Sequence, residues 1–204
     1  MERKTQTGYL MLADISGYTS FVAKTEIEHA DIALSFLLEA IVEKLSGMLT
    51  ISKLEGDAVF AYVEESKLPD GKSLLELIDH TYMAFRDQAE DLYSKSACQC
   101  KACRAIPTLD LKFMVHHGDF IVQQVAGIKD LLGTDVNLIH RLAKNHVSES
   151  TGWKGYALFT HQGLEHLQTG KTSYIQQTES YEHLGEVETY VMDMHVCYDG
   201  MKAS

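Results

Sequence analysis

The feature that most constrains the fold is a nearly unbroken apolar run at residues 8–14, which ends abruptly at the carboxylate of Asp14. Apolar residues without alternation are typical of a buried strand in the middle of a sheet. The run therefore predicts a central strand, with Asp14 at the end that opens into a site. The chain is 45% hydrophobic, which is enough to fill a real core around such a strand.

The helices are predicted from apolar residues that recur every three or four positions. This spacing holds over residues 26–45, where it predicts an amphipathic helix that Gly47 ends. The same pattern predicts a second helix over 73–93 and a third over 136–145, and a short helix is expected near 161–167.

The remaining strands are predicted from short apolar runs between turn residues. Strands at 48–54 and 57–63 are joined by a glycine turn, which favours an antiparallel hairpin with Asp57 at its tip. A second hairpin and three closing strands are expected further along. Their expected positions are 109–117 and 120–125 with a turn at 118–119, then 156–160, 173–177 and 187–195.

The order of these elements is β-α-β-β-α-β with extra pieces at the C-terminus. It predicts an α+β fold, a ferredoxin-like βαββαβ core with helices on one face of a mainly antiparallel sheet. The length of 204 residues suits about one domain, on a prior of roughly 100–200 residues each. We expect a single domain over 1–204, with its core at about 8–197.

Charge and hydropathy exclude two classes of partner. The chain has 18 Lys and Arg against 29 Asp and Glu, a formal net charge of −11, so the general attraction to nucleic acid is missing. No apolar run approaches the ~20 residues that a membrane-spanning helix needs, and the first six residues are too polar for a signal peptide. We expect a cytoplasmic protein without a nucleic-acid or membrane partner.

Three of the four cysteines lie together in the segment CQCKAC; they are Cys98, Cys100 and Cys103. Three thiolates at this spacing can bind one tetrahedral Zn²⁺, with a fourth ligand from a nearby His or from Cys197. Reactive thiols and a loop with no special role are the alternatives. We expect these cysteines on a loop at 96–107 that is added to the core.

Three segments together carry a resemblance to the class III adenylate and guanylate cyclases. Residues 12–21, LADISGYTSF, resemble the family's first metal-binding segment, Phe-Ala-Asp-Ile-x-Gly-Phe-Thr. Residues 53–61, KLEGDAVFA, resemble its Lys-x-x-Gly-Asp hairpin, and 130–141, DLLGTDVNLIHR, resemble its Asp-x-x-Gly-x-x-Val-Asn-x-x-x-Arg segment. All three stand in the family's order, which makes the combination far more specific than any one of them.

The resemblance implies a two-metal site. Asp14 and Asp57, with the backbone carbonyl of Ile15, would hold two Mg²⁺ or Mn²⁺ ions. Such ions prefer oxygen ligands and share their shell with phosphate oxygens. The family's fold, a nucleotide cyclase-like α+β domain, agrees with the fold that the periodicities predict.

The resemblance also implies the residues that hold the nucleotide. Lys53 and Asp130 would recognise the base, the pair that selects adenine in this family, whereas guanine-specific relatives usually carry Glu in place of Lys53. Asn137 would position the ribose, and Arg141, one helical turn later, would neutralise charge that grows on the α-phosphoryl. Lys112 matches a position that contacts the triphosphate.

The implied function is conversion of ATP into 3′,5′-cyclic AMP and pyrophosphate, a lyase reaction. In these cyclases one subunit supplies the metal residues and the other the Asn and Arg, so a homodimer is implied. The sequence departs from the family at Glu182, where a phosphate-contacting Lys usually stands; His183 or Lys171 are candidates to replace it. A catalytically weak or inactive nucleotide-binding module, or a cyclase for a pyrimidine nucleotide, are therefore the alternatives.

Overall fold

The computed structural model of the protein describes residues 4–167 and 174–202. Within these ranges the strands are β1 (Gln6–Ser16), β2 (Thr50–Glu55), β3 (Ala58–Glu64), β4 (Asp110–Val125), β5 (Ile128–Leu132), β6 (Tyr156–Thr160), β7 (Ile175–Tyr181) and β8 (Gly185–Asp193). The α-helices are α1 (Tyr18–Lys24), α2 (Ile27–Ser46), α3 (Gly71–Lys95), α4 (Lys101–Ala105), α5 (Thr134–Leu142), α6 (Val147–Thr151), α7 (His161–Glu165) and α8 (Met194–Lys202).

Seven of these strands form a continuous sheet in the order β2-β3-β1-β4-β6-β8-β7, and β5 pairs with the far half of β4. All pairs are antiparallel except β4 with β6. The order β2-β3-β1-β4 is that of the ferredoxin-like core. The predicted α+β class, the mainly antiparallel sheet and the central position of the first strand are therefore confirmed.

Both faces of the central strand β1 are buried, which explains its unbroken apolar run. Tyr9, Met11 and Ala13 pack into the larger core cluster together with residues of α2 and α3. Leu10 and Leu12 point to the opposite face, where they pack into a second cluster with residues of α5 and α6. Helices thus cover parts of both faces of the sheet, and the expectation that they cover only one face is wrong.

The hairpin predicted with its turn at 118–119 is also wrong, because β4 runs through this point as one strand of 16 residues. Gly118 is needed there because the Asp135 side chain lies where a side chain at position 118 would be, and not because the chain turns. The Asp135 carboxylate occupies the space of a Cβ at this position and accepts the Asp119 N–H at 2.7 Å. The turn lies instead at Ala126 and Gly127, both with positive φ, and it joins β4 to β5.

Other predicted elements are close to those observed. The helices expected at 26–45 and 73–93 are α2 and α3, and the strand expected at 156–160 is β6. The strands expected at 48–54 and 57–63 form the β2–β3 hairpin.

Several short helices were not anticipated. They are α1, which has Gly17 as its N-cap at φ 90°, α6 and α8. The expected loop at 96–107 contains α4. Lys171 and Ser173 lie outside the described residues. In the part of the chain that is described, no helix combines the length and the apolarity needed to cross a bilayer.

Candidate functional site

The pairing of β1 with β3 brings Asp14 and Asp57 together. Asp14 lies opposite Ala58, the residue after Asp57, and the N–H of Ile15 donates to the Asp57 carbonyl at 3.2 Å. The β2–β3 turn is therefore fixed against the end of β1. Burial raises the pKa of the Asp57 carboxyl to about 7, and the negative charge of Asp14 and a hydrogen bond between the two carboxyls add to this rise.

Lys112 completes what we call the carboxylate site, defined as Asp14, Asp57 and Lys112. It lies opposite Asp14 in the β1–β4 pair, and its Nζ is 3.1 Å from Asp14 Oδ2 and 3.3 Å from the Ala143 carbonyl oxygen. The Lys112 and Asp14 side chains are only 18% and 15% exposed. In this conformation the lysine predicted to contact phosphate neutralises Asp14 instead.

The donor set of the carboxylate site suits a hard divalent cation. Two neighbouring carboxylates and the Ile15 backbone are oxygen-rich, and one ammonium does not offset both acidic charges. Burial first, and then the charge of Asp14, raises the pKa of Asp57, so a cation bound between the two carboxyls would favour the ionised form of Asp57. Asp14, Asp57 and Ile15 therefore fit the metal that the sequence motifs imply.

A second group of charges, the lysine cluster, consists of Lys53, Glu55, Asp130 and His140. Lys53 Nζ is 3.0 Å from Glu55 Oε1 and 3.3 Å from Asp130 Oδ1, so the two residues predicted to bind the base do meet. Burial acts against the Lys53 ammonium, but its hydrogen bonds and ion pairs with Glu55 and Asp130 outweigh this and raise its pKa. The backbone N–H of Leu131 and then Lys53 lower the pKa of Asp130.

Glu55 and His140 of this cluster were not predicted as site residues. Glu55 could have been found, since it stands two residues after Lys53 at the end of the same strand. His140 Nδ1 is 3.2 Å from Glu55 Oε2, and its ring is 4.6 Å from the Phe60 ring. Burial lowers the pKa of His140, which favours the neutral imidazole. No signal in the sequence separates His140 from an ordinary helical histidine.

Asn137 and Arg141 remain apart from both groups. Both are exposed on α5, one turn apart, and in the described part of the chain neither side chain forms a hydrogen bond or an ion pair. Glu182 and His183 are also exposed, at the turn between β7 and β8, where they contact each other at 3.5 Å.

The cysteine cluster is a separate constellation made of His29, Cys98, Cys100 and Cys103. His29 Nδ1 is 3.1 Å from the Cys100 sulfur, 3.4 Å from that of Cys98 and 3.7 Å from that of Cys103. Of the two sources considered for a fourth ligand, the nearby histidine is the one the structure supplies. Cys197 stands on α8 outside the cluster, and burial raises its pKa to about 11.

Comparison with known proteins places this chain in a family. The sequence model of a family described as "Protein of unknown function (DUF2652)" matches residues 34–151. The chain belongs to the DUF2652 family. A relative, "Uncharacterized protein Rv2561/Rv2562" of Mycobacterium tuberculosis, is 30% identical over 162 residues, which cover 78% of this chain and 72% of that protein.

Several solved structures of nucleotide cyclases resemble this DUF2652 chain. The guanylyl cyclase Cya2 superposes with a TM-score of 0.74 at 14% identity, over 94% of this chain and 93% of that one. The adenylyl cyclase CyaB from P. aeruginosa gives 0.65 at 16%, over 95% and 97%. A rhodopsin-guanylyl cyclase core of converted specificity, in complex with ATPαS, gives 0.62 at 18%, over 93% and 97%. The DUF2652 chain therefore has the fold of nucleotide cyclase domains.

Proposed function

We propose that this protein is a nucleotidyl cyclase that converts ATP into 3′,5′-cyclic AMP and pyrophosphate at the interface of a homodimer. The observation that carries the proposal is the carboxylate site, where Asp14, Asp57 and Lys112 meet at the end of the central strand of a cyclase fold. The proposal takes residues 1–204 as one cyclase-like domain that works in the cytoplasm.

Two Mg²⁺ or Mn²⁺ ions, held by Asp14, Asp57 and the Ile15 carbonyl, would neutralise the triphosphate and lower the pKa of the ribose 3′-hydroxyl. The 3′-hydroxyl would give its proton to water, and its oxygen would bond to the α-phosphorus as the bond from that phosphorus to the α,β-bridging oxygen breaks and pyrophosphate leaves. Lys112 would bind the triphosphate. Once metal ions neutralise the carboxylates, its ammonium can leave Asp14 and donate to a phosphate oxygen.

The lysine cluster is proposed to recognise adenine. The Lys53 ammonium would donate to a ring nitrogen, and the Asp130 carboxylate would accept from the exocyclic amine. Their mutual ion pair holds both groups in place before the base arrives. Glu55 shares the Lys53 ammonium and thereby limits the reach of its side chain.

The homodimer is part of this proposal, and two exposed residues of α5 support it. Arg141 and Asn137 are exposed on α5 and are engaged with nothing else in the described ranges, so both are available to a second copy. In the proposed dimer Asn137 positions the ribose and Arg141 stabilises the charge on the α-phosphoryl in the site of the other subunit.

A second candidate function is nucleotide binding without turnover. It is favoured by Glu182. This residue puts a carboxylate on the β7–β8 turn, where the class III cyclases usually have a lysine that contacts the phosphates. A pyrimidine nucleotide as substrate is a further alternative, because hydrogen bonding by Lys53 and Asp130 is not unique to adenine.

The deciding experiment incubates the purified protein with Mn²⁺ or Mg²⁺ and each of the four nucleoside triphosphates, and measures cyclic product by mass spectrometry. We expect cyclic AMP from ATP, and a loss of at least about 100-fold in Asp57→Ala. Asp199→Ala, which removes an exposed carboxylate on α8, is the matched control and keeps the activity.

If all four triphosphates stay intact while the protein still binds ATP, the result would support nucleotide binding without turnover and overturn the cyclase proposal. A cyclic pyrimidine nucleotide in place of cyclic AMP would show that the enzyme is a cyclase with a pyrimidine nucleotide as its substrate. Equal activity in Asp57→Ala and in the wild-type protein would overturn the carboxylate site itself.

A further inference from the structure

The cysteine cluster has a geometry that hydrogen bonding does not explain. Four ligand atoms, one nitrogen and three sulfurs, lie within 4.8 Å of one another. All three sulfurs approach the same atom, Nδ1 of His29, at 3.1 to 3.7 Å. One ring nitrogen carries either one proton or one lone pair, so it serves a single hydrogen bond. A single hydrogen bond therefore does not account for all three approaches.

The same distances match the edges of a tetrahedral metal site. With Zn–S about 2.3 Å and Zn–N about 2.0–2.1 Å, tetrahedral angles put a nitrogen and a sulfur about 3.6 Å apart. The three observed distances lie on both sides of that value. Three sulfurs and one nitrogen are also the soft donor set that selects Zn²⁺ over Mg²⁺ or Ca²⁺.

The ligands come from two parts of the chain, the start of α2 and the segment around α4, which also meet in the core through the buried Ala102. His29 is in the first turn of α2, whereas the cysteines stand just before and within α4, a helix of five residues. A helix this short does not persist by itself. A hydrogen bond from the Ala102 N–H to the Glu26 carboxylate at 3.1 Å also ties it to α2. Glu26 is the N-cap residue of α2, so both ties act at one end of that helix.

We propose that His29, Cys98, Cys100 and Cys103 bind one Zn²⁺, and that this ion fastens α4 to the start of α2. With four protein ligands the coordination shell is closed, so the site is structural and has no open position for a substrate. The cysteines bind as thiolates, and uptake of the ion releases their protons to solvent. His29 is exposed, which gives the ion a path from solvent.

This proposal is independent of the cyclase function, since none of its residues belongs to the carboxylate site or the lysine cluster. A protein without cyclase activity can hold the zinc, and an active cyclase can lack it. The two proposals therefore fail separately.

The first test measures zinc by elemental analysis in protein purified without metal-affinity tags. We expect about one zinc per chain in the wild type, and at most about a fifth of that in Cys100→Ser and in His29→Ala. Cys197→Ser is the matched control, because it removes a cysteine outside the cluster and keeps the full zinc content. Full zinc in His29→Ala, or equal losses in Cys197→Ser and Cys100→Ser, would overturn the assignment of the ligands.

The second test needs no variant, so it holds even if the variants fold poorly. The wild-type protein is dialysed overnight against a chelator under reducing conditions, and its melting temperature is measured before and after Zn²⁺ is returned. We expect the melting temperature to fall by several degrees and to recover with one equivalent of Zn²⁺ but not with Mg²⁺. A wild-type protein that holds no zinc and whose melting temperature does not respond to it would overturn the proposal.

Discussion

The carboxylate site and the cysteine cluster gather metal ligands in opposite ways. At the carboxylate site, backbone hydrogen bonds between β1 and the β2–β3 hairpin hold the two carboxylates, and Lys112 is an internal cation beside Asp14. In the cysteine cluster the ligands stand on a five-residue helix, the segment before it and one helix end, and within the described ranges no Lys or Arg pairs with them. We therefore expect the first site to keep its shape without an ion, and the second to depend on its proposed zinc. We infer that the ion at the carboxylate site exchanges and arrives with substrate, and that the ion in the cysteine cluster is part of the fold.

The largest expected effect separates the two sites by the rate at which they lose metal. A brief treatment with EDTA should reduce the proposed cyclase activity to background, because ions at the carboxylate site would share their coordination with substrate and water. The closed four-ligand site should retain its zinc over the same minutes. Excess Mg²⁺ should then restore full activity with no zinc added, as measured by product formation and elemental analysis on one sample. Activity that returns only with Zn²⁺ would contradict this division of roles.

The next prediction concerns the number of chains that each site needs, because the cysteine cluster is whole in one chain whereas the catalytic site is proposed to combine the carboxylate site of one chain with α5 of a second. Asp57→Asn and Arg141→Ala should each lose at least about 100-fold in activity and keep one zinc per chain. Random pairing of the two variants places half of the chains in mixed dimers, each with one intact site. Activity should therefore return to about a quarter of that of the wild type.

The measurement is the rate of cyclic AMP formation after the two variants are mixed, compared with each variant alone. Mixing Asp57→Asn with Asp14→Asn is the matched control, because both changes fall in the same half of the site and no mixed dimer has an intact one. Recovery in the control, or none in the test pair, would show that the site is not shared between subunits.

The carboxylate site and the cysteine cluster also differ in how much of each could be predicted from the sequence. Asp14, Asp57 and Lys53 are placed by local features, a strand end and a hairpin, and short motifs capture such features well. His29 lies 69 residues before Cys98, and only the packing of α2 against α4 brings them together. No pattern on the exposed side of α2 distinguishes His29, so the sequence left a choice of fourth ligand.

The misplaced turn at residues 118–119 has the same origin. A glycine followed by an aspartate is the usual signature of a hairpin turn. Here the glycine makes room for the Asp135 carboxylate, which lies 16 residues beyond Asp119 in the chain. A contact of that range leaves no local trace, and the long strand β4 could not be inferred from the sequence.

An intermediate effect on kcat/KM is expected when base recognition is changed, a role that we propose for the lysine cluster alone. Lys53→Glu should lower kcat/KM for ATP by about 10- to 100-fold, because it removes the donor to the ring nitrogen and places a third carboxylate beside Glu55 and Asp130. The ratio of kcat/KM for ATP to that for GTP should fall with it. Cys100→Ser is the control and should leave this ratio unchanged. An unchanged ratio in Lys53→Glu would remove Lys53 from base recognition.

The smallest expected effect concerns pH and the stability of the carboxylate site without metal. Burial, then the charge of Asp14, raises the pKa of Asp57 to about 7, above the ordinary aspartate value of about 3.9. Between these values the folded chain holds a proton that the unfolded chain has released. The free energy of unfolding of the magnesium-free protein should therefore fall as the pH rises from about 4 to about 7, and stay level above.

Asp57→Asn removes this dependence on pH. The difference between variant and wild type therefore measures how much the ionised Asp57 beside Asp14 lowers the free energy of unfolding. After allowance for solvent screening of a half-buried group, the effect at pH 8 is about 1 kcal/mol, or about 2–4 °C in melting temperature. We expect the magnesium-free variant to melt higher than the wild type by that amount at pH 8 and at an equal temperature near pH 4. Added Mg²⁺ should reverse the order at pH 8, since it binds the wild-type carboxylates. A variant less stable than the magnesium-free wild type at pH 8 would mean that Asp57 supports the fold, as the cysteine cluster does, rather than straining it.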